Sequence, residues 1–369
     1  MNALAVFGTN LFAGGWFTTC GGTPATNIAR WNGSAWSAVG GGIGGGVNAM
    51  AVLETNLYVG GLFFSAGEML ANCIAKWDGS NWSDMGGGVS GGNPNTGPSV
   101  QALAVLGTNL YAGGFFTIAT NNGGAAVTVN RIARWNGTSW SALGSGMNAA
   151  ALGAGPDVAA LAVIGTNLYV GGAFTSAGGN SSIQYLARWN GSAWSALGAG
   201  VNYSVFALAA SGPDLYAGGW FYSAGGIPAN AIAKWNGSSW STLGSGLTEG
   251  GGNFTRAIVS TLAMSGNDLF ASGRFYVAGG KVSARVARAR ISFTPDQLAL
   301  QANAPGAQTN TLTFAGVPNF PYFVQYATNV TDSPWFTLST NAPNAQGIGT
   351  AIDSNATDPQ RFYRVGYQE

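Results

Sequence analysis

Short apolar runs of strand length, set apart by turn residues, repeat along most of the chain, and no stretch sustains a helical period. Ala3-Leu4-Ala5-Val6 is followed by Asn10-Leu11-Phe12-Ala13-Gly14-Gly15, then Ile28-Ala29-Arg30-Trp31, then Trp36-Ser37. With these runs lettered a to d, the order a-b-c-d occurs five times. The c and d runs meet over Arg30 to Trp36, Lys76 to Trp82, Arg134 to Trp140, Arg188 to Trp194 and Lys234 to Trp240. A sixth copy opens at Leu262 and departs from the pattern. Ser272-Gly273 replaces the glycine doublet, Val286-Ala287-Arg288-Ala289 replaces the tryptophan-ending run, and no d run follows. Four strands per repeat of this length predict an all-β chain with a six-bladed β-propeller over residues 1–294. Beyond it, residues 295–369 carry six short runs, among them Thr311–Phe314, Tyr322–Tyr326, Trp335–Leu338 and Phe362–Val365. These predict an immunoglobulin/fibronectin-like β-sandwich.

The turns predict two unlike faces. The a-to-b interval is constant from Leu4–Leu11 to Leu262–Leu269, and Asn-Gly between c and d signals a two-residue type I′ hairpin. The b-to-c and d-to-a connections vary in length and share the other face, where binding usually resides. The glycine runs Gly40–Gly46 and Gly250–Gly252 read as flexible connectors.

A glycine doublet after an apolar strand, with a tryptophan later in each repeat, resembles the kelch and galactose-oxidase-like β-propeller repeats of secreted bacterial proteins. The resemblance covers roughly residues 1–294 and implies a fold more than an activity. The copper ligands of galactose oxidases include histidines, and this chain has none. The phrase Phe323-Val324-Gln325-Tyr326-Ala327-Thr328-Asn329, with Trp335 and Arg361-Phe362-Tyr363-Arg364-Val365, looks like a small C-terminal module of exported proteins. That likeness implies export and surface display or assembly.

Composition narrows the chemistry. Charged residues make up 7% of the 369, against roughly 25% in an average domain, and the formal net charge is +1. A nucleic-acid partner held by phosphate neutralisation is excluded, and no apolar run is long enough for membrane insertion. The absence of histidine removes histidine-based general acids and nucleophile activation. Glu54, Glu68, Asp157, Asp214, Glu249 and Asp268 fall at non-equivalent or turn positions, so neither a carboxylate dyad nor a metal cage is predicted, and no cofactor is expected.

What recurs instead is a cation before each tryptophan position: Arg30, Lys76, Arg134, Arg188, Lys234 and Arg288. Six-bladed lectins of similar plan bind sugars with an arginine, an acid and an aromatic. Here the acid does not recur, and a stem packed between blades accounts for the cation. Cys20 and Cys73 fall on the loop face, either as a disulfide or as two unpaired thiols. Sequons stand at Asn32, Asn81, Asn136, Asn180, Asn190, Asn202, Asn236, Asn253, Asn329 and Asn355. They are either a glycan coat on a charge-poor surface or, in the Asn-Gly turns, turn residues alone. The truncated sixth repeat predicts an open edge at Val286, Ala287, Arg288, Ala289, Arg290 and Ile291. Residues upstream of Met1, the segment after Ile291, or a neighbouring molecule would complete it. The first expectation is therefore a non-enzymatic extracellular or cell-surface protein for adhesion or structural assembly, self-associating head to tail by strand addition. The alternative is a glycan-binding, lectin-like propeller, and less favoured still is an extracellular polysaccharide enzyme.

Overall fold

The repeated runs fold as small antiparallel sheets joined in the order a-b-c-d. The computed structural model describes residues 1–92, 97–148, 158–249, 256–266, 268–291, 298–301, 309–315, 321–328, 334–344, 348–354 and 361–366, and is all-β in these apart from a 3-10 turn at Asn122–Gly124. The first sheet holds Ala3–Phe7, Asn10–Gly14, Ile28–Trp31 and Trp36–Ala38. The second holds Ile43–Leu53, Asn56–Ala66, Ile74–Trp77 and Trp82–Ser83; the third Ser99–Leu106, Asn109–Phe115, Ile132–Trp135 and Trp140–Ala142. Val158–Ile164, Asn167–Gly172, Leu186–Trp189 and Trp194–Ser195 make the fourth, and Val205–Ser211, Asp214–Gly219, Ile232–Trp235 and Trp240–Thr242 the fifth. Among the described residues the sixth has three strands, Ile258–Ser265, Asp268–Arg274 and Val286–Arg290.

The core lies between sheets. Five apolar clusters each combine residues of two consecutive sheets, from Phe12 and Ile28 against Val47 and Leu57 to Tyr216 and Ile232 against Val259 and Leu269. A b strand covered on both faces is buried at every position, as Asn167–Gly172 and Asp214–Gly219 are, and its residues are mainly apolar beyond the first, Asn167 or Asp214. The glycine doublet has two separate jobs. A Cβ on the first glycine would overlap the valine of the next sheet: Gly14 meets Val47, Gly60 Val100, Gly113 Val158, Gly171 Val205 and Gly218 Val259. A Cβ on the second would overlap the a strand of its own sheet, as Gly114 would at the Ser99 carbonyl beside a bulge. In the sixth sheet, which has no following sheet among the described residues, the first position is Ser272.

Tryptophans fasten the same layers at the rim. The c and d indoles of each of the first five sheets pair with centroids 5.0 to 5.5 Å apart in a tilted arrangement. The d indole also donates its Nε1–H to a carbonyl of the preceding sheet's exit: Trp82 to Gly40 (3.1 Å), Trp140 to Met85 (2.8 Å), Trp194 to Leu143 (2.9 Å) and Trp240 to Leu197 (2.8 Å).

Three expectations about loops change. The c–d connection is a four-residue loop rather than a two-residue hairpin, because Trp31 pairs with Trp36. Only its glycine has positive φ (99° at Gly33), and Asn32 Oδ1 accepts the N–H groups of Ser34 and Ala35, both at 2.9 Å. The side chain thus does what a second left-handed residue would do in a shorter turn. Gly40–Gly46 is not a flexible connector: its second half belongs to the eleven-residue strand Ile43–Leu53, where any Cβ on Gly44, Gly45 or Gly46 would strike Ser65, Phe63 or Trp16. Gly250–Gly252 lies outside the described residues. On the loop face, each exit pairs with the b–c excursion of the next sheet, as in Ile43 with Ala66, Gly88–Ser90 with Ile118–Thr120, and Leu247–Thr248 with Val277–Ala278. Much of the variable face is therefore stitched.

Among the described residues, neither end of the stack is covered by a further sheet. Leu4 and Val6 of the first sheet are 54% and 67% exposed, although their counterparts Met50 and Val52 pack against the first sheet. Val286 of the sixth is 59% exposed, whereas its counterparts from Ile28 to Ile232 are buried.

The C-terminal part forms two three-stranded antiparallel sheets, Leu298–Gln301, Asn310–Ala315 and Ile348–Asp353, and Phe336–Asn341, Tyr322–Ala327 and Phe362–Gly366. Leu312, Phe314 and Ala351 of one share a core with Tyr322 and Val324 of the other. Here the Arg361-to-Val365 phrase has a structural reason. Arg361 Nη1 lies 2.6 Å from Asp353 Oδ2, both side chains buried, and the Tyr363 hydroxyl donates to the same oxygen at 2.8 Å. Arg364 covers the Trp335 ring at 4.3 Å. A buried carboxylate that loses its cation is costly, about 3–5 kcal/mol.

Two substitutions test the stack. Gly113→Ala should lower stability by about 1–3 kcal/mol through collision with Val158. Ser272→Ala, at the equivalent site of the uncovered sheet, should stay within about 0.5 kcal/mol of the parent. Urea denaturation midpoints at unchanged slope provide the comparison.

Candidate functional site

The end of the stack at the sixth sheet gathers the features that set this repeat apart. Val286–Arg290 pairs with the b strand in the register Ser272 to Val286 through Asp268 to Arg290. Its other edge has no strand beside it among the described residues. Next to that edge lies a cavity of about 410 Å³, walled by Leu243 and Gly244 from the fifth sheet's exit, Gly279 from the sixth sheet's b–c turn, and Ala287, Ala289 and Ile291. Of the edge residues predicted from sequence, Ala287 to Ile291 thus line an open, mainly apolar recess, and Val286 lies outside its wall. Arg288 remains at its rim, 3.9 Å from Asp268.

The other predicted residues are spent on structure. Cys20 and Cys73 are free thiols, so the disulfide is not made here. Cys20 sits in the first sheet's small hairpin, whereas Cys73 packs in the layer between the second and third sheets and points its Sγ at the Pro98 carbonyl, 3.2 Å away. Burial pushes the Cys73 thiol up to about 11, against a lesser opposite effect from a hydrogen bond with the Phe63 backbone. Asn136, Asn190 and Asn236 repeat the Asn32 turn, each accepting backbone N–H groups at its Oδ1. Asp78 does the same in the second sheet, and the N–H groups of Asn81 and then Ser80 hold its carboxyl below the ordinary range. Asn81 and Asn180 are exposed, and Asn202 Oδ1 accepts from the N–H groups of Tyr222 and Ser223, both at 3.1 Å. Asn253, Asn329 and Asn355 lie outside the described residues, as does the junction at 294–295.

Five of the six recurring cations find partners within their own sheets, Arg288 through the Asp268 contact above. Arg30, Arg134 and Arg188 donate from Nε to Ser37, Ser141 and Ser195 across the c–d pair, at 3.3, 3.1 and 3.0 Å. Lys234 pairs with Asp214 at 3.1 Å. Burial pushes the Tyr169 hydroxyl above its ordinary range, and the Arg188 guanidinium beside it pulls the other way. Glu249 is tied to Arg274 at 2.7 Å. Among the described residues no three metal-ligating side chains come together.

One cluster escaped the sequence reading. On the loop face, Tyr203 lies 5.4 Å from Trp220 and 5.8 Å from Tyr222, and the Arg256 guanidinium covers the Tyr222 ring at 4.2 Å. Trp220 and Tyr222 remain partly exposed, and Tyr222 lines a recess of about 210 Å³ together with Thr248, Glu249 and Arg256. The available signal was weak: Trp220 follows the Gly218-Gly219 doublet, but Trp16 and Phe115 stand at the same position in two other repeats, and only Tyr203 and Arg256, from other loops, complete the cluster.

No family model matches the chain, and no curated protein matches it. The likeness to kelch repeats rests on the residues quoted above.

Thiol chemistry checks the cysteine assignment. Under non-reducing conditions the unfolded chain should titrate two thiols, and in the native protein Cys20 should react well before Cys73. Fewer than two thiols on unfolding would contradict it.

Proposed function

We propose that this is a non-enzymatic structural or adhesion protein of the extracellular space or cell surface, which accepts a strand from a neighbour at its sixth sheet. In this reading residues 1–294 are a six-bladed, kelch-like β-propeller stack and residues 295–369 an appended β-sandwich. The observation that carries it is the edge at Val286–Arg290, which among the described residues is open beside an apolar recess, in a sheet one strand shorter than its five predecessors. An exposed edge is a template for β-strand addition, and each ladder hydrogen bond formed there contributes about 0.5–1.5 kcal/mol. The exposed Leu4 and Val6 at the opposite end of the stack favour a head-to-tail arrangement, since every internal sheet buries the equivalent face. A heterologous contact of this kind grows filaments unless the rotation closes. With five of the six recurring cations partnered inside their sheets and charged residues at 7%, little long-range repulsion opposes association.

A second reading has its own observation. The Tyr203, Trp220 and Tyr222 rings beside Arg256, Thr248 and Glu249 pair aromatic faces with polar groups, a composition suited to a glycan. A glycan array separates the two: Trp220→Ala should abolish any binding that array detects, and an empty array leaves the assembly reading alone.

Sedimentation and electron microscopy over a micromolar concentration series test the assembly directly. Growing head-to-tail oligomers are expected, and Val6→Asp should shorten them several-fold. Uniform monomers at every concentration would overturn the proposal.

A further inference from the structure

The recess at the sixth sheet has been filled four times elsewhere in the same molecule, and each time by tryptophan. The second, fourth and fifth sheets allow a position-by-position comparison. At the exits of the preceding sheets, a Cβ on Gly40 would meet the Trp77 and Trp82 indoles, one on Gly144 would touch Trp189 and Trp194, and one on Gly198 Trp235 and Trp240. The glycine at the b–c turn faces the same d indole from the other side: Gly67 meets Trp82, Gly178 meets Trp194 and Gly225 meets Trp240. The indole is thus held between two glycines from neighbouring sheets. Its Nε1–H goes to an exit carbonyl that also accepts a backbone N–H: Leu143 O takes Trp194 and the Gly146 N–H, Leu197 O takes Trp240 and the Gly200 N–H, and Met85 O takes Trp140 and the Gly88 N–H.

The sixth sheet keeps every wall of this slot. Gly244 and Gly279 occupy the two glycine positions, and a Cβ on either would meet nothing within 4 Å. The Leu243 carbonyl accepts the Gly246 N–H at 3.0 Å, as its counterparts accept theirs, and stands where they receive the indole. Ala289 holds the place of the c-strand tryptophan, so this wall leaves more room rather than less.

We infer that the recess is a tryptophan-specific socket, and that the strand it accepts is a Trp-Ser-x-Leu segment of a second polypeptide lying antiparallel to Val286–Arg290. The chain itself argues for this occupant, since the Trp-Ser runs at Trp82, Trp140, Trp194 and Trp240 each fill the equivalent slot of their own sheets. By the register of those sheets, the incoming tryptophan lies opposite Ala289 and the following serine opposite Arg288, as Trp240 and Ser241 lie opposite Trp235 and Lys234. The serine hydroxyl then meets a guanidinium, repeating the Arg188–Ser195 contact. This inference rests on the strand-addition reading above and adds what the strand must carry.

A labelled synthetic peptide with the sequence of residues 236–244 is the probe, titrated against the full chain by fluorescence anisotropy. Replacing its tryptophan by phenylalanine should weaken binding by loss of the donor, and replacing it by alanine should weaken it at least about tenfold. Gly279→Asn, which places a Cβ in the socket at a left-handed position that asparagine tolerates, should remove the preference for tryptophan while leaving the alanine peptide unaffected. Equal binding of the tryptophan and alanine peptides would overturn the socket and leave strand addition standing. Binding of neither peptide would overturn both. A Gly279→Asn chain that folds with an unchanged thermal midpoint and keeps the full tryptophan preference would also refute the socket.

Discussion

Everything in the first 291 residues depends on close contact between consecutive sheets. The sheets are too small to hold an internal core, so each buries its apolar side chains against its neighbour, with Phe12 and Ile28 meeting Val47 and Leu57 and the same exchange continuing to Val259. Close approach is possible only where a strand lacks a side chain, and the first glycine of each doublet provides that place for the next valine. The indole clamp fixes the rim at the same spacing. A chain with so few charges can afford this arrangement because its stability comes from layered apolar contact, about 25 cal/mol for each Å² withdrawn from water.

The interlock also explains how much the sequence revealed. The glycine doublets, the paired tryptophans and the Leu-Ala-Val runs are large, periodic signals, and they located the strands of five sheets and the shortened sixth. In the C-terminal part, alternation and turns located Tyr322–Ala327 and Phe362–Gly366 to within a residue. Contacts between repeats were not legible. Which carbonyl receives Trp194, or which way Cys73 points, depends on a neighbour 51 residues away in the first case and 25 in the second, and no local pattern encodes it. The Asn-Gly turn misled for a related reason: a two-residue hairpin and a four-residue loop closed by the asparagine side chain begin with the same residues.

Loop-face variability was a weaker guide than it first seemed. Length differences between repeats suggested free binding loops, yet Gly88–Ser90 and Leu247–Thr248 are absorbed into pairing with the next sheet. What distinguishes one repeat from another is instead a handful of substitutions at positions the other repeats hold nearly constant. Ser272 for glycine and Ala289 for tryptophan mark the end of the stack and shape its recess.

If the inter-sheet clamp governs stability, protection must follow it. Native-state hydrogen exchange, read by mass spectrometry strand by strand, measures this directly. The account predicts the strongest protection in the b strands Asn109–Phe115, Asn167–Gly172 and Asp214–Gly219, covered on both faces, and markedly faster exchange at Val286–Arg290, where the clamp and the fourth strand are missing among the described residues. Equal protection of Val286–Arg290 and the c strand Ile232–Trp235 would contradict it.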